Sequence, residues 1–286
     1  INGMFYDPID ARVLDFVGGE ADLAARVLRA IGDPHERMRE DKLRMLRAVR
    51  FAATLDFALD EVTAAAVREM AGEIVVVSQE RIAQELRRML VDPHRRRAVE
   101  LCADVGLLSV ILPELGEPTF AMLSLLEAPS FELAFATLLH SLPAKPVVYD
   151  VCRRLRLSND ETDRIEWLVA HQDDLADAPS QMPARLKRTL AHPYRDDLIA
   201  LLRVKRLAHA ADMQPVLFCD EYLARTPQSV IDPPPLMTGD DLKSLGLKPG
   251  PGFKTLLDAV RDAQLNSEIA THEQALVLVN TAIGRD

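Results

Sequence analysis

Residues 40–51, EDKLRMLRAVRF, constrain this chain more than any other segment. The arginines stand at 44, 47 and 50, and Asp41 lies three residues before the first. On an α-helix, residues three or four apart share a face. The spacing therefore predicts one helix over about 36–55, with an acceptor and a planar multi-donor group looking out together, backed by two more cations. A carboxylate beside a guanidinium can read the edge of a nucleobase, and the following arginines suit phosphates. A solvated face laced with i,i+3 ion pairs fits the same spacing. Periodicity alone leaves both readings open.

The formal net charge of -10 at first discourages a nucleic-acid partner. Phosphates respond to local clusters, however, not to the sum. Residues 26–50 hold seven Arg and one Lys against four acidic residues. Arg87, Arg88 and the run Arg95-Arg96-Arg97 form a second cluster, and a looser third spans 185–206. The run 95–97 suits RNA backbone or, equally, a solvated helix start. The three cysteines, Cys102, Cys152 and Cys219, have no metal-binding spacing, and their odd number argues against a disulfide framework. This predicts a reducing, cytoplasmic setting. No apolar run reaches membrane-spanning length, so no membrane partner is expected. Ile1 is not methionine and opens what looks like the middle of an element, so the expectation is that the chain continues upstream.

Two short extended segments are expected over 4–17, around a turn at 7–10, and then a break at Gly18-Gly19. A helix is expected over 22–31. After it almost everything reads as helical: 60–71, 79–91, 94–105, 107–112, 130–142, 146–155, 159–173, 183–191 and 194–213. Residues 226–237, with Pro233-Pro234-Pro235, read as a stiff extended connector. Helices follow from Thr238, over 253–266, and over 275–281. No exact internal repeat is visible.

With its flanking motifs, the chain resembles the bacterial-type tRNA nucleotidyltransferase/poly(A) polymerase family. The resemblance is carried by Ile1-Asn2-Gly3-Met4, Asp15-Phe16-Val17-Gly18-Gly19 with Asp22-Leu23, and Gly32-Asp33-Pro34 with Arg37. It continues through 40–51, 77–86, 106–115 and 238–265. It implies a mostly α chain: the C-terminal remnant of an α/β nucleotidyltransferase head (1–33), then a helical neck (34–115), body (116–225) and tail (226–286). It implies addition of CCA, or part of it, to tRNA 3′ ends from CTP and ATP, with Mg2+ held by an Asp-x-Asp pair in the head. No such pair in a matching context occurs here. The resemblance therefore assigns no catalytic or metal residue to this chain, and the expectation is that this chain alone is inactive.

What it assigns is nucleotide selection. Asp41 and Arg44 would pair with the base, Arg37, Arg47 and Arg50 would neutralise the triphosphate or brace Asp41, and Asn2 would lie near the sugar. Glu80 and Arg81 would orient the base-reading helix, and Arg95, Arg96 and Arg97 would meet RNA backbone. The expected partners are tRNA, or another RNA 3′ end, with CTP and ATP, the protein being a monomer or homodimer. A poly(A) polymerase and a non-catalytic RNA-binding module are the alternatives. His140 is followed by Ser141 where a metal-binding His-Asp signature needs aspartate, so no phosphohydrolase centre is expected.

Overall fold

The computed structural model describes residues 3–116 and 120–284. By contacts the chain forms two units: Ile1–His171 with Leu207–His209, and Gln172–Arg206 with Ala210–Asp286. A finer, four-part division at 33, 115 and 225 remains a proposal.

The first unit begins with an antiparallel hairpin, β1 (Met4–Asp7) and β2 (Arg12–Asp15), in the register Met4↔Asp15 to Asp7↔Arg12. Asp7 turns the chain by accepting from the Ile9 N–H at 2.9 Å. Asp15 accepts from the N–H groups of Val17 (3.0 Å) and Glu20 (2.9 Å) and so opens α1 (Gly19–Ala25). Gly19 must be small here, because a Cβ would stand 2.9 Å from Met4.

A helix over 22–31 does not form. Arg26 turns the chain at φ 54, and β3 (Val27–Leu28) pairs in parallel with β4 (Ala58–Leu59). That partner is about thirty residues away, so no local pattern announces it. Between the strands lie α2 (Pro34–Glu40) and α3 (Leu43–Thr54). The single helix expected over 36–55 is thus two. Asp41 is extended (φ -152, ψ 107), and its carboxylate accepts from the Leu43 N–H at 3.1 Å. A short acceptor side chain ahead of an apolar run competes with helix continuation and starts a new helix instead.

Buried Leu43, Leu46, Val49 and Ala53 turn one stripe of α3 inward. It packs on α5 (Gln79–Val91) and α6 (Arg95–Asp104). Between α3 and α5 run α4 (Glu61–Met70) and a 3-10 segment, Ala71–Val76. The unit continues through α7 (Leu107–Ile111), α8 (Ala121–Ser124), α9 (Phe131–Leu139), α10 (Tyr149–Arg154) and α11 (Asn159–His171). Every residue of α9 but Glu132, in its first turn, is buried, as expected of a helix that is apolar nearly all round.

The second unit holds α12 (Pro183–Ala191), α13 (Arg195–Ala208, all but its last two residues), α14 (Gln214–Arg225) and α15 (Gln228–Ile231). It ends with α16 (Gly239–Ser244), α17 (Pro251–Leu265) and α18 (His272–Ala282) around Met237, Leu242, Val260, Ala275 and Val279. Capping boxes at Thr238 and Thr271 set the starts of α16 and α18. The connector expected over 226–237 is extended only in part: α15 takes 228–231, and the proline stretch after it is a docked strap. Arg261 donates to the Pro233 carbonyl at 2.6 Å, Gln264 to that of Pro234 at 2.8 Å, and His272 to that of Leu236 at 2.7 Å. Lys187 reaches the Leu265 carbonyl at 2.7 Å and joins α12 to the end of α17.

Candidate functional site

A groove of about 430 Å³ opens in the first unit beside α2 and α3. Arg37, Arg44 and Arg47 line it above an apolar floor that includes Met38, Phe51 and Leu55. The segment 28–31, set by the β3–β4 pairing, forms the opposite side. Thr63, almost fully buried, holds that side in place: its hydroxyl accepts from the Ala30 N–H at 3.1 Å and donates to Asp60 at 3.0 Å. Arg29 adds ion pairs to Asp60 at 2.8 Å and Asp22 at 3.0 Å.

The arginines at 37, 44, 47 and 50 have distinct surroundings. Arg37 and Arg44 both donate to one oxygen of Glu40, at 2.7 and 2.5 Å, and Arg44 also donates to the Arg37 carbonyl at 3.1 Å. Arg44's hydrogen bond, backed by Arg37, holds the Glu40 carboxyl below its ordinary value. Sequence reasoning overlooked Glu40 as the acid binding these two cations, although its spacing of three from Arg37 and four from Arg44 announces both pairs. Arg47 lies 5.8 Å from the Phe51 ring and pairs with no acid among the described residues. Arg50 points elsewhere. It donates to Glu85 at 2.5 Å, its guanidinium sits 4.1 Å from the Phe51 ring, and only 11% of its side chain is exposed. Arg50 does not line the groove, and the pair with Glu85 fastens α3 to α5.

Asp41 stands beside the groove, not in its lining. Besides the Leu43 N–H, its carboxylate accepts from Arg81 of α5 at 2.8 Å. Burial pushes the Asp41 carboxyl up, but the hydrogen bonds from Arg81 and Leu43 and the charges of Arg81 and Arg44 outweigh it, and the net shift is downward. Asp41 therefore stays an anion with fixed orientation at neutral pH. Its neighbour Lys42 is paired with Glu73. Arg81 thus joins Asp41, whereas Glu80 is exposed and joins no ion pair among the described residues. Asn2 lies outside the described residues.

The run 95–97 is not one surface, and its expected role needs correction. Arg95 is 4% exposed and donates to the carbonyls of Leu90 (2.9 Å), Leu123 (3.2 Å) and Leu126 (2.9 Å). It staples the interior and presents no charge to RNA. Arg96 pairs with Glu100 at 2.6 Å on the surface, and Arg97 pairs with Asp56 and donates to the Phe57 carbonyl at 2.8 Å.

No group of three or more His, Cys, Asp or Glu among the described residues could hold a metal ion, so Mg2+ finds no fitting donor set there. The adjacent acid pairs are otherwise engaged: Asp173 binds Lys205, Asp240 binds Lys243, and Asp241 caps α16. His140 donates to the Thr137 carbonyl at 2.8 Å. The three cysteines are buried and unpaired with one another, and burial pushes their thiols up to about 12, 12 and 11 for Cys102, Cys152 and Cys219. Among the described residues no helix is long and apolar enough to cross a membrane.

Residues 56–117 match a family described as "Probable RNA and SrmB- binding site of polymerase A". An A-adding tRNA nucleotidyltransferase of Deinococcus radiodurans is 29% identical, over 94% of this chain and 74% of its own length. A CCA-adding enzyme of Lacticaseibacillus paracasei is 26% identical, over 97% of this chain and 68% of its own. The Bacillus stearothermophilus CCA-adding enzyme, solved in complex with CTP, shares the fold with a TM-score of 0.77 at 24% identity. That match covers 99% of this chain and 72% of the solved one.

Proposed function

We propose, from the premise that this chain belongs to the tRNA nucleotidyltransferase/poly(A) polymerase family, that it carries the base-selecting side of an enzyme that adds C and A to tRNA 3′ ends. The observation that carries this reading is the groove itself, with Arg37, Arg44 and Arg47 over an apolar floor and Asp41 fixed as an anion alongside. Cytosine and adenine share one feature on their pairing edges: an amino donor next to a ring-nitrogen acceptor. Asp41 can take only the donor, and Arg44 can serve only the acceptor. Uracil and guanine reverse that order and would leave both groups unpaired, which is costly in a site built to be paired. The Nη1 group of Arg44 is committed to Glu40 and the Arg37 carbonyl. Arg44's remaining N–H groups have no partner among the described residues and are the ones left for a base. Arg47, with no acid partner there, suits the triphosphate. Arg50 acts as a brace. Arg96 and Arg97, on the residues matched to the RNA-binding family, are the members of their run that RNA could reach.

The transfer step needs divalent metal chemistry, for which the described residues offer no donor set. The test is incorporation by the full-length gene product, given tRNA ending before CCA with CTP and ATP supplied separately. Incorporation of each nucleotide on its proper primer supports the reading. Labelling with neither leaves an RNA-binding module in its place. A poly(A) polymerase is the second reading, favoured by the description of the matched family. Repeated extension of an unrelated RNA from ATP alone would establish it.

A further inference from the structure

Asp41 and Lys42 are the only two residues between α2 and α3, and each is held by an ion pair of opposite polarity. Arg81, near the start of α5, takes the Asp41 carboxylate. Glu73, in the 3-10 segment, takes the Lys42 ammonium. The Lys42 side chain is 15% exposed, so this pair sits partly inside the unit, while Glu73 keeps half of its side chain in solvent. Glu73 is also well supported. Ala71 and Ile74, on either side of it, are 5% and 1% exposed, and the segment packs on α4 and α7. Such an anchor does not drift as a loop side chain would.

The consequence follows from geometry. Asp41 is extended while Lys42 is already helical (φ -59, ψ -26). A rotation about this joint would swing the Asp41 carboxylate relative to Arg44, whose backbone N–H bonds the Asp41 carbonyl at 3.0 Å. Arg81 holds the joint through the side chain of its first residue, and Glu73 through that of its second. Two tethers fix an orientation that one leaves free to pivot.

We propose that Glu73, acting through Lys42, is a positioning residue for base selection: it fixes the Asp41–Lys42 joint so that Asp41 and Arg44 face the same base edge. The proposal rests on the base-reading role of Asp41 and Arg44. It extends the selecting apparatus to a segment that does not line the groove and to a residue that touches no nucleotide.

The test is a comparison of kcat/KM for CTP and UTP in the full-length protein, on tRNA ending before CCA. Glu73→Gln is expected to lower CTP-over-UTP discrimination about fivefold, the range open to a partly exposed ion pair. KM for tRNA and the thermal midpoint should stay near the parent values. Lys42→Gln should lower discrimination to a similar extent, and the double variant should be no worse than either single one, because both remove the same pair. Glu73→Asp should recover most of it. If Glu73→Gln fails to fold, Lys42→Gln carries the same comparison. Unchanged discrimination in Glu73→Gln, with discrimination lost in Arg44→Ala, overturns this inference and leaves the base-reading role standing. Unchanged discrimination in Arg44→Ala overturns the base-reading role itself.

Discussion

The arginines at 95, 96 and 97 have three different fates. Arg95 is sealed under three carbonyls, Arg96 lies on the surface with Glu100, and Arg97 fastens Asp56 and Phe57. Truncating Arg95 strands those carbonyls without a donor. Arg95→Ala should therefore cost about 3 kcal/mol of stability, read from the urea midpoint. Arg96→Ala should change that midpoint by no more than about 0.5 kcal/mol and instead flatten the salt dependence of RNA binding. An unchanged salt slope would show that Arg96 does not meet phosphate. At the groove, Arg44→Ala should weaken discrimination for CTP and ATP more than it weakens tRNA binding, and equal losses in the two measurements would contradict its role. The fate of Arg95 was legible from phase. It shares a face with Ala98, Val99 and Cys102, all buried, at spacings of three, four and seven. A run of like residues conceals that phase, because composition is constant along it while direction turns by a third of a circle per residue. The split between Arg44, held by Glu40, and Arg47, with no acid partner, depends on one acidic residue placed four positions before the first.

Helices with strong local signals came out where the sequence placed them. The bounds of α5 and α12 are the expected ones, 79–91 and 183–191. The misses share a cause, in that something distant or small decided the outcome. β3 formed because β4 lies beside it. The break at Asp41 turns on one carboxylate bonding an N–H two residues ahead. α14 was not expected, yet Pro215 stands at its second position, where proline favours a helix start. One similarity became visible only in three dimensions. The joint Leu90-Val91-Asp92-Pro93-His94-Arg95 and the joint Leu190-Ala191-His192-Pro193-Tyr194-Arg195 make the same turn between helices. In each, the arginine donates to the carbonyl five residues back at 2.9 Å. In each, the residue before the proline accepts from the N–H two positions on, at 2.8 Å in the first and 3.3 Å in the second. Two consecutive acidic residues, Asp196 and Asp197, stand where the first joint has Arg96 and Arg97, so the shared geometry does not carry a shared charge. The proline strap makes a prediction at this scale. Arg261 holds both Asp232 and the Pro233 carbonyl. Arg261→Ala should release the strap and speed limited proteolysis within 226–237, while cleavage elsewhere keeps its rate.

At the scale of the molecule, two carboxylates that join elements far apart in the chain contribute to stability in acid. Glu161 of α11 accepts two hydrogen bonds from Arg87 of α5, at 2.9 and 3.0 Å, and also accepts from the Ser158 N–H at 2.8 Å. Glu114 binds Arg154 across forty residues. Burial raises the Glu161 carboxyl, but the Ser158 and Arg87 hydrogen bonds outweigh it, so its net shift is below the ordinary 4.5. The Arg154 hydrogen bond, working against burial, takes Glu114 below 4.5 as well. A carboxyl lowered on folding binds its proton less readily in the folded chain than in the unfolded one. Its contribution is fully present above 4.5 and is lost as pH falls through the lower, folded value. Both pairs lie in the first unit, and so does the single tryptophan, Trp167, on α11 itself. Trp167 fluorescence should therefore report a urea midpoint that is flat from neutral pH to about 5 and declines below it. Glu161→Gln should begin from a lower midpoint at neutral pH and decline less on acidification, because the group that would take up the proton is gone. A variant that loses midpoint equally at every pH would show that the carboxylate acts by packing alone, and that the acid response of this unit comes from Glu114 or from the surface.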